Sequence, residues 1–258
     1  MVSVIHKPQE KNGGQQAVLS RKAAGTTSFR RNEGKEQVLI LRFHLYYDMN
    51  ITALRPRFIG YLEPVADMFV KTGITPNQIS LLSLLFGVAC ALCFIDRHFF
   101  LGSVFLFISA LLDLVDGSVA RKIGRQTKFG AVFDWIVDKY VDALVLLGIG
   151  LSGIAIIGRF IPVTPAVDFG IVALAIIGSL MNTFIKPVTY AEIGFKERID
   201  GKIEDPLEGV GFFGRPETLL VILLGGITGF IWLSVIIIAV CANLSAMQRI
   251  FYLHKTYS

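Results

Sequence analysis

The sequence predicts an all-α integral membrane protein, with six transmembrane helices preceded by an amphipathic juxtamembrane helix. Three observations predict it. The 258-residue chain is 53% hydrophobic and has a mean hydropathy of +0.61, more apolar than a soluble domain of this size needs. Beyond Ile79 the charged residues cluster between apolar runs instead of spreading along amphipathic faces. Each run is roughly 20 residues long, the length that the hydrocarbon core of a bilayer demands.

Residues 1–50 read as a polar, partly disordered tail rich in Gly, Gln, Lys and Arg. No apolar stretch precedes its first charged cluster, so it does not read as a secretory signal. Gln37–Tyr47 is short and apolar, and fits a surface strand or an interfacial segment. In residues 51–72, Leu54, Phe58, Leu62, Val65 and Phe69 recur every three or four positions, while Arg55, Arg57, Glu63 and Lys71 fall elsewhere. That pattern predicts an amphipathic helix whose basic start suits the headgroup plane. A soluble helix packed on a domain core is the alternative reading. Pro64 is expected to kink it. Thr75-Pro76-Asn77 caps the next helix, within a six-span domain over 73–250. The spans are expected near 79–95, 99–118, 131–156, 167–188, 212–228 and 230–250, followed by a C-terminal tail over 251–258. The fifth span carries the weakest signal, because its apolar part is short and ends at Gly225-Gly226.

Charge orients these spans. Lys122, Arg125 and Lys128 lie between the second and third, and Lys196, Arg198, Lys202 and Arg215 between or at the edges of the fourth and fifth. The opposite side offers only Arg97 and Arg159. The positive-inside rule therefore predicts a multi-pass protein of the cell membrane with both termini and the basic loops in the cytoplasm. The net charge of +5 follows from this topology, and no basic groove with interleaved aromatics suggests nucleic acid. Cys90, Cys93 and Cys241 all sit in apolar runs. An odd count without partner histidines speaks against a disulfide scaffold or a zinc site.

The stretch from Leu111 to Asp142 breaks the apolar pattern. Asp113 and Asp116 are three apart at the end of the second span, and Asp134 and Asp138 four apart at the start of the third. Each pair shares a helical face, and a short turn between antiparallel helices brings both faces to one depth. Bare carboxylates there are costly and mutually repulsive. Divalent cations remove the objection, with hard oxygen ligands favouring magnesium, manganese or calcium over zinc. Gly117 and Gly130 allow close approach of a ligand to the backbone, and Ala120 is small for the same reason. Arg121 offers a fork suited to phosphate oxygens. Together these residues point to phosphoryl transfer by two metals. An ion-transport site or ion-binding membrane scaffold is the reading from a different class, but its acids would be distributed along a path instead of clustered at one end. Asp142, one turn beyond Asp138, gets no role from its spacing; it suits either a group that supports the ligand aspartates or an acid paired with a lysine or tyrosine.

Asp113-x-x-Asp116-Gly117-x-x-Ala120-Arg121, eight residues, then Gly130-x-x-x-Asp134-x-x-x-Asp138, resembles the complete signature of the CDP-alcohol phosphotransferase family. The resemblance covers roughly residues 52–250. It implies an enzyme that joins a CDP-activated lipid to an alcohol and releases CMP. It also implies two Mg2+ or Mn2+ ions held by Asp113, Asp116, Asp134 and Asp138, with Asp138 doubling as general base. Asp113, Asp116, Gly117, Ala120, Arg121 and Gly130 would form the CDP site, with Arg121 on the pyrophosphate. Members of this family commonly form homodimers within the lipid bilayer.

The acceptor must be read from other residues. Lys186, Arg215 and Arg249 fall at the same membrane face as the aspartates, where three cations suit an acceptor bearing its own phosphate. Positive-inside flanking is the alternative for each, and Arg249 could equally be a snorkelling anchor. Asp138-Lys139-Tyr140-Val141-Asp142 resembles a run in the inositol-phosphate-using branch, where matching basic residues hold the acceptor phosphate. The segment Phe184-Ile185-Lys186-Pro187-Val188 departs from that branch. The favoured expectation is transfer of a phosphatidyl-type group, diacyl or archaeal ether, to myo-inositol 1-phosphate. Glycerol phosphate is the competing acceptor, and a soluble CDP-inositol donor a further alternative.

Overall fold

The computed structural model describes residues 55–193, 198–199, 202–203, 207 and 210–257. The polar tail, Gln37–Tyr47, Leu54 and Lys196 lie outside them. Among the described residues there are seven helices: α1 (Arg55–Thr72), α2 (Pro76–Ile95), α3 (Phe99–Lys122), α4 (Lys128–Leu151), α5 (Pro165–Ile193), α6 (Arg215–Thr228) and α7 (Ile231–Tyr257). A two-residue antiparallel pair, β1 (Arg198–Ile199) with β2 (Lys202–Ile203), lies between α5 and α6.

Four helices, α2, α3, α5 and α7, are long and apolar enough to cross a membrane. Their outward positions are large and apolar: Leu85 and Leu92 on α2, Phe100 and Phe107 on α3, Ile177 and Phe184 on α5, Leu244 and Phe251 on α7 are all exposed. The interior includes small polar residues such as Ser83, Ser103, Ser109, Ser179, Ser234 and Ser245. Apolar outside and hydroxyl-bearing inside is the pattern of helices solvated by lipid, where close packing and interhelical hydrogen bonds replace the hydrophobic effect. The Ser83 and Ser109 hydroxyls donate to each other's backbone carbonyls at 2.9 Å, joining α2 to α3.

Helix neighbours form a closed ring. α2 packs on α3, α3 on α6, α6 on α7, α7 on α5, α5 on α4, and α4 returns to α2. All six contribute to one apolar core that includes Phe94, Leu106, Val145, Ile149, Val172, Ile222, Val235 and Ile238. Two glycines set close approaches in it. A Cβ on Gly148 of α4 would lie 2.5 Å from the Ala91 carbonyl oxygen of α2, and one on Gly226 of α6 would lie 2.9 Å from that of Phe99 on α3.

α1 packs outside the ring on α3. Leu62, Ala66, Phe69 and Val70 meet a cluster that includes Leu112, Val115 and Val119, and Lys122 pairs with Asp67 at 2.5 Å. The helix continues through Pro64. Val65, expected on the packed stripe, faces outward, and Ala66 takes the buried place. The small methyl lets α1 lie close to α3.

Helix ends differ from the expected spans where caps decide them. α3 runs on to Lys122, and α4 begins at Lys128 because the Thr127 hydroxyl accepts the Gly130 N–H at 2.9 Å. α4 stops at Leu151, with Gly153 in the left-handed region (φ 62°) just beyond. α7 extends to Tyr257, through most of the segment read as a tail, because no Gly or Pro interrupts it. At one end of the ring, Arg97 Nε donates to the Ser152 carbonyl and Arg159 lies over the Trp232 ring. The other end collects the starts of α2, α4 and α6 and the ends of α3, α5 and α7.

Candidate active site

That second end holds the carboxylates. α2 starts with Thr75, whose N–H and hydroxyl both donate to Gln78 Oε1, at 2.9 and 3.0 Å. Because α2 packs against both α3 and α4, Asp113 and Asp116 come to the level of Asp134. One oxygen from each of these three residues lies within 4.8 Å of the others. Ser80 of α2 donates its hydroxyl to Asp116 Oδ2. Three carboxylates this close repel one another unless a cation shares them, and an all-oxygen donor set fits a hard divalent ion of the magnesium or manganese type.

Asp138 lies outside that trio, and its counter-ion arrives from the far side of the ring. α6 starts at an extended Gly214, whose N–H is accepted by Glu217 Oε2 at 2.9 Å, with Pro216 in the first turn. Arg215, its first residue, divides its guanidinium among three carboxylates. Nη1 meets Asp113 Oδ2 at 2.8 Å, Nη2 meets Asp138 Oδ1 at 2.8 Å, and Nε meets Asp142 Oδ1 at 3.2 Å. Lys139 Nζ takes the other oxygen of Asp142 at 2.8 Å and donates to the Thr183 hydroxyl of α5 at 3.3 Å. Asp142, without a role on spacing alone, thus has a lysine and an arginine as partners.

Beside the trio opens a cavity of about 390 Å³. Asp116, Gly117, Ala120, Arg121, Gly130 and Asp134 all line it, so the structure brings together most of the residues expected to surround CDP. A Cβ on Gly117 would lie 3.5 Å from Arg121 Nη1, so the glycine keeps the wall beside that guanidinium low. Arg121 Nη2 donates to the Ser118 hydroxyl at 3.0 Å. A Cβ on Gly130 would meet Thr127 Oγ1 at 3.0 Å and Asn77 Oδ1 at 3.3 Å. Thr75, Asn77, Ser80, Arg125, Gln126 and Thr127 also line the cavity, and sequence reasoning assigned none of them to the site. Their signal was available in part: Asn77 and Ser80 are three apart on the first turn of α2, the same spacing as Asp113 and Asp116.

The other two expected cations lie at the same end of the ring. Lys186 is half-buried on α5, four residues beyond Asn182. Arg249 on α7 is only 7% exposed, so it is not a snorkelling anchor. Its Nε donates to the Val210 carbonyl at 2.8 Å and its Nη1 to the Asn182 carbonyl. Asn182 Nδ2 in turn donates to the Phe213 carbonyl at 2.5 Å. These bonds pin the segment before α6, and hence the position of Arg215.

A ring of membrane helices gathers carboxylates, a phosphate-type arginine and a cavity at one end, an arrangement suited to phosphoryl transfer. The comparisons specify the class. The family model for CDP-alcohol phosphatidyltransferase matches residues 73–241, and the chain belongs to that family of membrane enzymes. It is 25% identical over 205 residues to archaetidylinositol phosphate synthase of Pyrococcus horikoshii, spanning 80% of this chain and 97% of that one. It is 31% identical over 178 residues to phosphatidylinositol phosphate synthase of Mycobacterium tuberculosis, spanning 68% of this chain and 74% of the relative. A crystal structure of phosphatidylinositol phosphate synthase from M. tuberculosis with CDP-DAG bound superposes with a TM-score of 0.58 at 25% identity, covering 73% of this chain and 90% of that one.

Metal binding gives the first test of the site. Mn2+ at about a hundred times its Kd is expected to stabilise the fold by about 2.7 kcal/mol, read as a higher Tm in detergent. Asp134→Ala should remove most of that shift. A wild-type Tm indifferent to Mn2+, or a shift that survives intact in the variant, contradicts the assignment.

Proposed function

We propose that the protein transfers a phosphatidyl-type group, diacyl or archaeal ether, from a CDP-lipid to a hydroxyl of myo-inositol 1-phosphate and releases CMP. One observation carries the reading: the Asp113, Asp116 and Asp134 trio opens on the 390 Å³ cavity lined by Arg121, and its Asp113 also meets Arg215. A CDP-lipid needs the first arrangement, and an acceptor with its own phosphate needs the second. The inositol phosphate synthases among the relatives support the choice of acceptor.

Asp113, Asp116, Asp134 and Asp138 would hold the divalent ions. When bound, such ions neutralise the diphosphate and make the attacked phosphorus more electrophilic. The chain's own residues supply the rest. Arg121 directs its fork at the diphosphate, while Gly117, Ala120 and Gly130 leave room for the cytidine. Arg215, Lys186 and Arg249 orient the acceptor through its phosphate, so that its hydroxyl lies in line with the leaving group. Asp138 takes the hydroxyl proton as the new oxygen–phosphorus bond forms and the bond to CMP breaks. Two metals per site and a homodimeric assembly complete the proposal.

We further propose that α4 and α6 complete a six-span bundle with the site facing the cytoplasm. α4 spans 24 residues, turns Asp142 and Val145 inward and faces outward with apolar residues such as Val132 and Ile136. α6, with 14 residues, is roughly 21 Å long, packs between its ring neighbours α3 and α7 and turns Leu220, Leu224 and Ile227 outward. The basic loops at the carboxylate end support that orientation.

The acceptor is tested with radiolabelled CDP-lipid and a panel of inositol 1-phosphate, both glycerol phosphates, inositol and serine. Inositol 1-phosphate should give CMP and labelled lipid at least about tenfold faster than any other acceptor, a transition-state preference of about 1.4 kcal/mol. Faster transfer to a glycerol phosphate contradicts the reading. In the same assay Asp138→Asn should lose about a hundredfold or more in turnover while CDP-lipid binding persists. Unchanged turnover removes the base role.

A further inference from the structure

We infer that Asp142 is a positioning residue: its buried carboxylate holds the Arg215 guanidinium by Nε and so aims both Nη groups at the place where the acceptor phosphate binds. The inference deepens the proposed function and rests on its reading of Arg215.

Asp142 lies one helical turn beyond Asp138 on the same face of α4, and its side chain is 1% exposed. A carboxylate buried to that degree requires counter-ions, and here each oxygen has its own. Oδ1 accepts from Arg215 Nε at 3.2 Å, and Oδ2 from Lys139 Nζ at 2.8 Å. Lys139 is itself steadied by the Thr183 hydroxyl of α5 at 3.3 Å. Thr183, Lys139, Asp142 and Arg215 therefore form a chain of contacts crossing from α5 through α4 to the start of α6.

The guanidinium is planar and rigid. Fixing Nε fixes the direction of Nη1 and Nη2, which here point to Asp113 and Asp138 at 2.8 Å each. Those two carboxylates belong to the set expected to hold metal, whereas Asp142 does not. Of the three anions that Arg215 touches, Asp142 alone has no second task, and it engages the one nitrogen that a forked phosphate contact through Nη1 and Nη2 does not need. The geometry separates the roles: Asp142 anchors Nε, while Nη1 and Nη2, held on Asp113 and Asp138 here, form the pair that the acceptor phosphate would engage in their place.

Steady-state kinetics of Asp142→Asn tests this, using CDP-lipid and whichever phosphorylated acceptor the wild type prefers. Loss of the charge-assisted contact should raise the acceptor KM about tenfold. The CDP-lipid KM should stay within about twofold. In an Arg215→Ala background the same substitution should add less than about twofold, because its effect passes through the missing guanidinium. An unchanged acceptor KM, a full additional loss in the Arg215→Ala background, or equal rises in both KM values with a fallen Tm would each overturn the inference. Should Asp142→Asn fail to fold, Lys139→Met removes the other counter-ion while sparing Arg215. It should raise the acceptor KM by about two- to fivefold, and no change would count against the anchor. A wild type that prefers glycerol phosphate would contradict the proposed acceptor yet leave this test intact.

Discussion

Five carboxylates lie at one end of a membrane helix ring, on two helices, and the need to neutralise them constrains the surrounding structure. Arg215 meets Asp113, Asp138 and Asp142 with three different nitrogens, and Lys139 shares Asp142. Two side-chain cations cannot balance five acids. Oxygens of Asp113, Asp116 and Asp134 crowd within 4.8 Å, a donor set that fits a hard divalent ion. The same unbalanced charge that makes the helices costly to bury therefore makes them capable of binding metal.

The ring gives that charge its place. α6 follows α5 in the chain after a long connection, yet it inserts between α3 and α7, which brings Arg215 opposite the carboxylates of α3 and α4. Arg249 and Asn182 fix the segment leading into it. The apolar exterior and serine-bearing interior allow all this to be solvated by lipid. The cavity bearing Arg121 opens beside Asp116 and Asp134, and Arg215 meets Asp113.

Much of this was legible in local spacing. Asp113-x-x-Asp116 and Asp134-x-x-x-Asp138 predict shared helical faces; the structure brings Asp113, Asp116 and Asp134 together and leaves Asp138 beside them on Arg215. Gly117, Ala120, Arg121 and Gly130 fall on one cavity as their residue types suggest. What spacing does not encode is which helices become neighbours. That depends on close approaches such as Gly148 on Ala91 and Gly226 on Phe99, which leave no periodic trace. The bridging by Arg215 follows from that order and was hidden for the same reason, whereas the local Lys139–Asp142 pair fits the lysine partner expected for Asp142. Arg249 reads as an acceptor-phosphate cation or an anchor at a helix end because its carbonyl partners, Val210 and Asn182, are distant in sequence.

The central claim is that a cation balances the trio while Arg215 stays anchored on Asp142. It is tested most directly by anomalous diffraction at the manganese edge from crystals grown with Mn2+ and CDP. The account predicts manganese bounded by Asp113, Asp116 and Asp134, with Arg215 Nε still on Asp142. Manganese bound elsewhere, an absence of any peak among the three aspartates, or an Arg215 that has left Asp142 would contradict it.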